Sequence, residues 1–338
     1  VSIKTVAKLA GVSTATVSRY LNSPEQVKEK TRNKVQAAIA ETGYAPNALA
    51  RNFRRGKTSL IVVVLPAIGD PFLDKVMRGI WRVADEQGYS ILIRDTQSNS
   101  HEFDEYTDLV FSKQADGILL LASISPFKEA AAIRDAERAH PPLVLGLESV
   151  NADLSHFPSV RVDNIAAAAD GTDYLIQLGH QRIGFIAGKQ GSLLTKDREK
   201  GFRKAMRRAR LPVNAEWIVE GEQTIEGARR ATRRLLDLEQ PPTAIFCGND
   251  EMALGALHEI KSAGLKIPRD ISVIGFDDIR YAEIADPPLT TIAQPAEEIG
   301  ERSMRRLCQA IDGSASDNAP EMVPHKLVVR KSTGKAPG

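Results

Sequence analysis

Cysteine is scarce: Cys247 and Cys308 are the two thiols of a 338-residue chain. They form no Cys-x-x-Cys pair and no cluster with histidine, which argues against a disulfide framework and a zinc site. The six histidines show no metal-ligand spacing. No apolar run approaches the roughly 18 residues needed to span a membrane. The N-terminus lacks the basic-then-apolar pattern of a signal peptide, so the expected location is cytoplasmic. The turn after the first apolar run, LPAIGDPF, lacks the GxGxxG of dinucleotide enzymes. There is no phosphate-binding P-loop and no G-x-S-x-G nucleophile elbow. No enzymatic activity, cofactor or metal is therefore expected. The 42% hydrophobic and 26% charged residues are ordinary for a globular chain of two or three domains.

The near-neutral total of +2 hides an asymmetry. Residues 1–59 carry eleven Lys/Arg against three Asp/Glu, a balance of +8, while the remaining 34 bases and 40 acids leave −6. A basic head on a mildly acidic body suits contact with a polyanion.

The pattern within the head makes that partner specific. IKTVAKLA at 3–10 places Ile3, Val6, Ala7 and Ala10 at helical spacing, and Gly11 can take the positive φ that ends a helix. A second helix, TATVSRYL, is predicted from about Thr14 to Leu21, with Ser13 as its cap. Val17 and Leu21 share the face that packs back on the first helix. The leading face is small and polar. A third helix is predicted over 29–42, with Val35, Ala38 and Ile39 closing a small core. Two short helices around a tight glycine turn describe a helix-turn-helix. A hydroxyl or methyl at Thr14 and Ala15 suits base edges in the major groove. Arg19, one turn later, can reach a guanine with two hydrogen bonds or clamp a phosphate.

VAKLAGVSTATVSRYLN and KTRNKVQAAIAETGYAPNALAR resemble the head of the lactose/galactose repressor family, whose signature V-A-x-x-A-G-V-S-x-x-T-V-S-R is matched in full at 6–19. The resemblance implies that Thr14, Ala15 and Arg19 face bases and that Ser13, Thr16, Ser18, Asn22, Tyr44 and Asn47 contact phosphates. It also implies a hinge at 47–58 that folds only when two copies meet over the minor groove. The family's wedging leucine is matched here by Phe53, with Arg51 and Arg54 beside phosphates. Alone, a helix of this length is marginal in water.

From residue 60 the texture is α/β. SLIVVVLPA, YSILIRD, DGILLLA and PPLVLGLE read as buried parallel strands, separated by predicted helices over 71–88 and 101–114. A second run follows: helix IAAAADGTDYLIQLG, strand RIGFIAG, helix 197–210, strand WIVEG, helix 224–237, strand TAIFCGND, helix 251–263 and strand SVIGFDD. Two such runs imply two subdomains with parallel sheets covered on both faces. Ligands in such folds sit beyond the carboxyl ends of strands. Asp70, Ser123, Asn249 and Asp277 stand there and can hold hydroxyl groups, while an aromatic ring covers an apolar sugar face. For Asp250 the expectation is a helix cap. Arg198 is read as a cation at a helix start, where the dipole disfavours it, which points to another purpose.

TAIFCGNDEMALGAL, SVIGFDD and DPPLTTIAQP extend the resemblance through the body, to the family's periplasmic-binding-protein-like core. It implies that Arg198, Asn249, Asp277 and Gln294 hold ligand hydroxyls, that Phe72 is the aromatic after the first strand and that Asp163 lies at the crossover. It divides the body into an N-subdomain, 59–162 with 293–322, that dimerises, and a C-subdomain, 163–292 with 323–338, following a head at 1–46. STATVSR, KQADGILLL and DPPLTTIAQP are similar to the nucleoside (cytidine) repressor branch. The expected effector is a ribosyl compound, nucleoside or ribose, with Phe72 and Gln223 facing a base. A hexose- or purine-responsive regulator, or a sugar-binding protein without a regulatory role, is the alternative. The expected partners are a homodimeric copy and a near-palindromic operator on double-stranded DNA, with no membrane.

Overall fold

A computed structural model describes residues 2–44, 57–96, 109–110, 112–122, 142–147, 154, 156–315 and 317–337. The chain divides into two compact units, 1–58 and 59–338.

In the first unit, α1 (Ile3–Ala10) ends at Gly11 with φ of 66°, where the backbone turns without a Cβ clash. α2 (Thr14–Asn22) follows, and a single turn at Pro24–Gln26 leads to α3 (Glu29–Thr42). Val6, Ala7, Ala10, Val17, Val35 and Ala38 are buried together, with Leu21 and Ile39 packed against them. The three predicted helices and their core positions thus appear where the 3.6-residue periodicity puts them.

The second unit holds two sheets. In the first, β1 (Leu60–Leu65), β2 (Ser90–Asp95), β3 (Gly117–Leu120), β4 (Leu143–Gly146), β5 (Ser159–Arg161) and β11 (Glu321–Met322) run in the order β11-β5-β4-β3-β1-β2, all parallel. In the second, β6 (Ile183–Ala187), β7 (Ile218–Glu220), β8 (Ala244–Cys247), β9 (Ser272–Asp277), β10 (Thr290–Ala293) and β12 (Lys326–Val328) run in the order β12-β10-β9-β8-β6-β7, with β12 antiparallel to β10. Branched, apolar strands such as LIVVVL are buried on both faces because helices cover each side. α4 (Pro71–Gln87) and α9 (Ala296–Asp312) share a cluster on the first sheet, in which Val76 and Ile80 meet Ile299, Met304 and Leu307. On the second sheet, α5 (Asn164–Gln177) and α6 (Leu193–Arg208) lie over one face, α7 (Ile225–Leu236) and α8 (Asp250–Ser262) over the other.

The chain leaves the first sheet after β5, returns between β10 and α9, and closes with β11 in one sheet and β12 in the other. The strands at 159–161, 290–293, 321–322 and 326–328 and the helix α9 were not expected from the sequence. Three of those strands have only two or three residues, and most of their partners are far along the chain. The helix expected over 101–114 falls mostly outside the described residues. Among the described residues, no helix is long and apolar enough to cross a membrane.

Candidate DNA-reading surface and effector cleft

Ser13 begins α2: its hydroxyl accepts the Thr16 amide at 3.1 Å and lies 2.9 Å from the Thr16 hydroxyl. Thr14, Ala15 and Arg19 are exposed, while Thr16 and Ser18 are half-buried. The first turn of α2 therefore presents a methyl, a hydroxyl and the helix N-terminus to solvent, with Arg19 one turn on. Tyr44 packs against the head core. Asn22 closes α2, but its side chain lies outside the described residues, as do Asn47, Arg51, Phe53 and Arg54.

In the second unit a cleft opens between the carboxyl ends of the two sheets. Asp70, Phe72, Arg198, Gln223, Asn249, Asp277 and Gln294 line one chamber of about 60 Å³, together with Pro66, Leu73, Leu121, Leu147 and Leu194. A wider mouth of about 760 Å³ adjoins it; Pro66, Asp70, Gln223 and Asn249 line both. Glu220, Glu222, Glu251 and Lys189 border that mouth.

Arg198 is 4% exposed. Its Nε donates to Asn164 Oδ1 at 3.0 Å, Nη1 donates to the Gly248 carbonyl, and Nη2 donates to Asp277 Oδ1 at 3.3 Å. The guanidinium lies 3.6 Å from the centroid of the Phe276 ring. Gln294 Nε2 donates to the same Asp277 Oδ1 at 2.7 Å. Both protein bonds fall on Oδ1, which leaves Oδ2 of Asp277 for a ligand. A buried cation with three acceptors and an aromatic face is a rigid fork, suited to holding a carboxylate and ligand oxygens in register.

Arg198 does not stand at a helix start, as the sequence suggested. α6 begins at Leu193, with Ser192 as its cap, so Arg198 occupies the second turn and the dipole argument lapses. Asp250 does not cap α8 either. Asn249 does, accepting the Met252 amide at 2.9 Å through Oδ1, while Asp250 is wholly buried one residue further on. Asp70 caps α4 through Oδ1, which accepts the Phe72 and Leu73 amides at 2.8 and 3.1 Å. Asp163 is exposed and caps α5 by accepting the Ala166 amide; its neighbour Asn164 is the residue that reaches Arg198. Ser123 lies outside the described residues. Sequence reasoning did not single out Asn164 or Phe276. Strand alternation marks Phe276 as facing the layer opposite to its neighbours, and that layer holds α5 and α6, the second of which carries Arg198.

Asp277 and Asp278 adopt φ of 110° and 56°, and Glu222 and Gln223 adopt 57° and 58°. A non-glycine residue there costs about 1–3 kcal/mol and persists only where the surroundings over-determine it. Both pairs lie at the cleft. Burial pushes the Asp277 carboxyl up to about 7, Arg198 pulling it down and Asp70 pushing it up. Burial likewise raises Asp70, against the pull of the two amides it caps.

Those positions set a pH dependence. In its ionised form Asp277 can accept a hydroxyl on each free lone pair. The groups facing it are Arg198 from α6, Asp70 ahead of α4, Asp250 from α8 and Gln294 after β10. Between pH 6 and pH 8 its charged fraction rises from about one tenth to nine tenths, so affinity for a hydroxyl-bearing ligand is expected to rise about tenfold, as titration calorimetry can measure. The ligand-free body moves the other way. A carboxyl raised in the fold is better protonated folded than unfolded, so its stabilising contribution, full below about pH 4, is lost as pH climbs through 7.

Two family models match the chain: bacterial regulatory proteins of the lacI family over residues 2–47 and the periplasmic binding protein-like domain over 172–333. The HTH-type transcriptional repressor CytR of Escherichia coli K12 is 43% identical over 99% of this chain and 97% of its own. The HTH-type transcriptional repressor PurR of Vibrio parahaemolyticus is 36% identical over 99% of both. The lac repressor dimer bound to operator and the anti-inducer ONPF superposes with a TM-score of 0.88 at 30% identity, covering 99% of each chain. A helix-turn-helix head joined to a two-sheet cleft defines a ligand-responsive DNA-binding regulator. The chain belongs to the lacI family of bacterial regulatory proteins, as a DNA-binding transcriptional repressor and not an enzyme.

Proposed function

We propose that this repressor is released from its operator by a ribosyl compound, a nucleoside or ribose, held between the two halves of the body. The observation that carries this reading is the pairing of compartments. A narrow chamber offers Asp277 Oδ2, Asn249 and Arg198 to a polyhydroxyl ring, and a wider mouth begins at Gln223. Phe72 lies on the chamber wall as an apolar cover for a sugar face. Gln223 carries one amide acceptor and two donor hydrogens, the complement of the carbonyl-and-amine edge of a nucleobase. The 43% identical CytR chain supports the same branch. The 36% identical PurR chain keeps a purine among the ligands to be tested.

In the proposed mechanism a homodimer sets the two heads over a near-palindromic operator, with Thr14, Ala15 and Arg19 at base edges and Ser13, Thr16 and Ser18 near phosphates. The remaining proposed DNA contacts are Asn22, Tyr44 and Asn47, with Arg51, Phe53 and Arg54 at the hinge. The ligand acts by binding two cleft states unequally, and a coupling of about 1–3 kcal/mol is typical. Lys75 of α4 links the halves directly: its Nζ donates at 2.7 Å to the carbonyl of Asp278, next to the proposed ligand carboxylate. Ile279 and Leu254, from the second half, pack with the core of the first. A change at Asp277 thereby reaches α4. The regulator works in the cytoplasm, where its DNA is.

Differential scanning with cytidine, ribose, glucose and a free purine tests the reading. A ligand at 100 times its Kd stabilises the native state by about 2.7 kcal/mol, which is about 5 °C or more in Tm for a body of this size. Cytidine or ribose is expected to give that shift and to weaken operator binding. A shift with glucose or the purine alone overturns the ribosyl assignment.

A further inference from the structure

Asp250 takes no part in capping and does not line the cleft, yet it is a wholly buried carboxylate. Burial of an acid without strong partners is unfavourable, so its contacts identify its work. Oδ2 accepts the backbone amide of Ile279 at 2.9 Å, and Oδ1 accepts the hydroxyl of Thr291 at 2.6 Å. Three separate segments therefore meet on one side chain: the start of α8, the turn after β9, and β10. Gly275, in β9, makes room for it: a Cβ there would stand 2.1 Å from Asp250 Oδ1. Burial raises the Asp250 carboxyl well above its usual range, and the nearby Asp277 adds to this, with the two bonds opposing.

The turn that Asp250 grips is the strained one. Asp277 and Asp278 both have positive φ, and the next residue, Ile279, donates its amide to Asp250. Other anchors act on the same turn: Lys75 Nζ on the Asp278 carbonyl, and Arg330 2.8 Å from the Asp278 carboxylate. Asp250 alone of these is completely out of solvent, and it reaches the turn from the start of α8, against β9 and β10. The side chain is tied at both oxygens, which fixes the height and angle at which the turn presents Asp277.

We infer that Asp250 is the positioning residue of the sensor: clasped by Thr291 and seated over Gly275, it holds the Asp277–Ile279 turn in the strained form that aims Asp277 into the cleft. The inference rests on the reading that Asp277 contacts the effector. It gives Asp250 a part in effector recognition without contact, and extends the recognition set to Thr291 and Gly275, which lie outside the cleft.

The test uses the full chain with cytidine as probe, and Thr291→Val, which removes one clasp and keeps the shape, beside Thr291→Ser, which restores the hydroxyl. Asp250→Ala is the direct variant, and Thr291→Val decides the matter should that protein not fold. Thr291→Val is expected to weaken cytidine binding by at least about tenfold, and Thr291→Ser to return it to within about threefold of wild type. Without ligand, hydrogen exchange at the Ile279 amide is expected to speed up about tenfold in Thr291→Val, with the amides of β8 unchanged. Unaltered Ile279 exchange, or cytidine binding equal in the valine and serine variants, overturns the positioning role. Asp277→Ala separates the two claims. If it abolishes cytidine binding while Thr291→Val does not, the cleft reading stands and this inference fails. If Asp277→Ala binds cytidine as well as wild type, the cleft reading itself fails.

Discussion

Asp277→Ala is expected to lower effector affinity by at least about 100-fold and to leave operator binding within about threefold of wild type. A hydrogen bond to a charged group is worth about 1.5–3 kcal/mol, and this carboxylate is placed to accept from adjacent hydroxyls, so two such bonds account for about two to four orders of magnitude. The loss is not offset by water, because Asp277 is only 7% exposed and sits in a chamber walled by Leu73, Leu121, Leu147 and Leu194. Arg198 keeps Asn164, the Gly248 carbonyl and the Phe276 ring, so its charge remains held and the fold is expected to survive. The head is a separate compact unit, which is why DNA binding should persist. Titration calorimetry with cytidine and fluorescence anisotropy with operator DNA measure the two arms. An affinity unchanged within a factor of two removes Asp277 from the ligand's surroundings.

Arg19→Ala is expected to lower the preference for a selected operator over a scrambled duplex by about 10- to 100-fold, since a bidentate arginine–guanine contact carries about 1–3 kcal/mol of discrimination. Arg19 is exposed on α2, one turn beyond the Ser13 cap, with Val17 anchoring the opposite face in the head core. Its removal therefore takes away a reading group and leaves the packing intact. The slope of binding against salt should fall by no more than about one counterion. Equal weakening on both duplexes, with a full unit of lost slope, would reassign Arg19 to a phosphate.

Much of this molecule was legible along the chain because its signals are local. Helices over 3–10, 14–22 and 29–42 follow from periodicity and caps, and each long strand from a run of branched apolar residues. The short strands were not legible. β5 and β11 have three and two residues, and their paired residues lie 161 positions apart in sequence. No local pattern encodes such a partner. The cleft was readable in part. Strand-end polar residues at 70, 249 and 277 and the family pattern at 198 and 294 do converge, since parallel sheets put carboxyl ends on one side.

What the sequence could not assign is how neighbouring polar residues divide their roles. Asn249 and Asp250 look alike as helix starts, yet one caps α8 and the other is a buried clasp on a turn 29 residues away. Asp163 and Asn164 look alike at the crossover, and only the second meets Arg198. By itself the sequence determined the head helices, the long buried strands, the basic head and the family, because these depend on nearest neighbours along the chain. The tertiary structure decided which of two adjacent polar side chains faces the cleft, because that depends on a 100° step around a helix start and on partners that only folding brings within 3 Å.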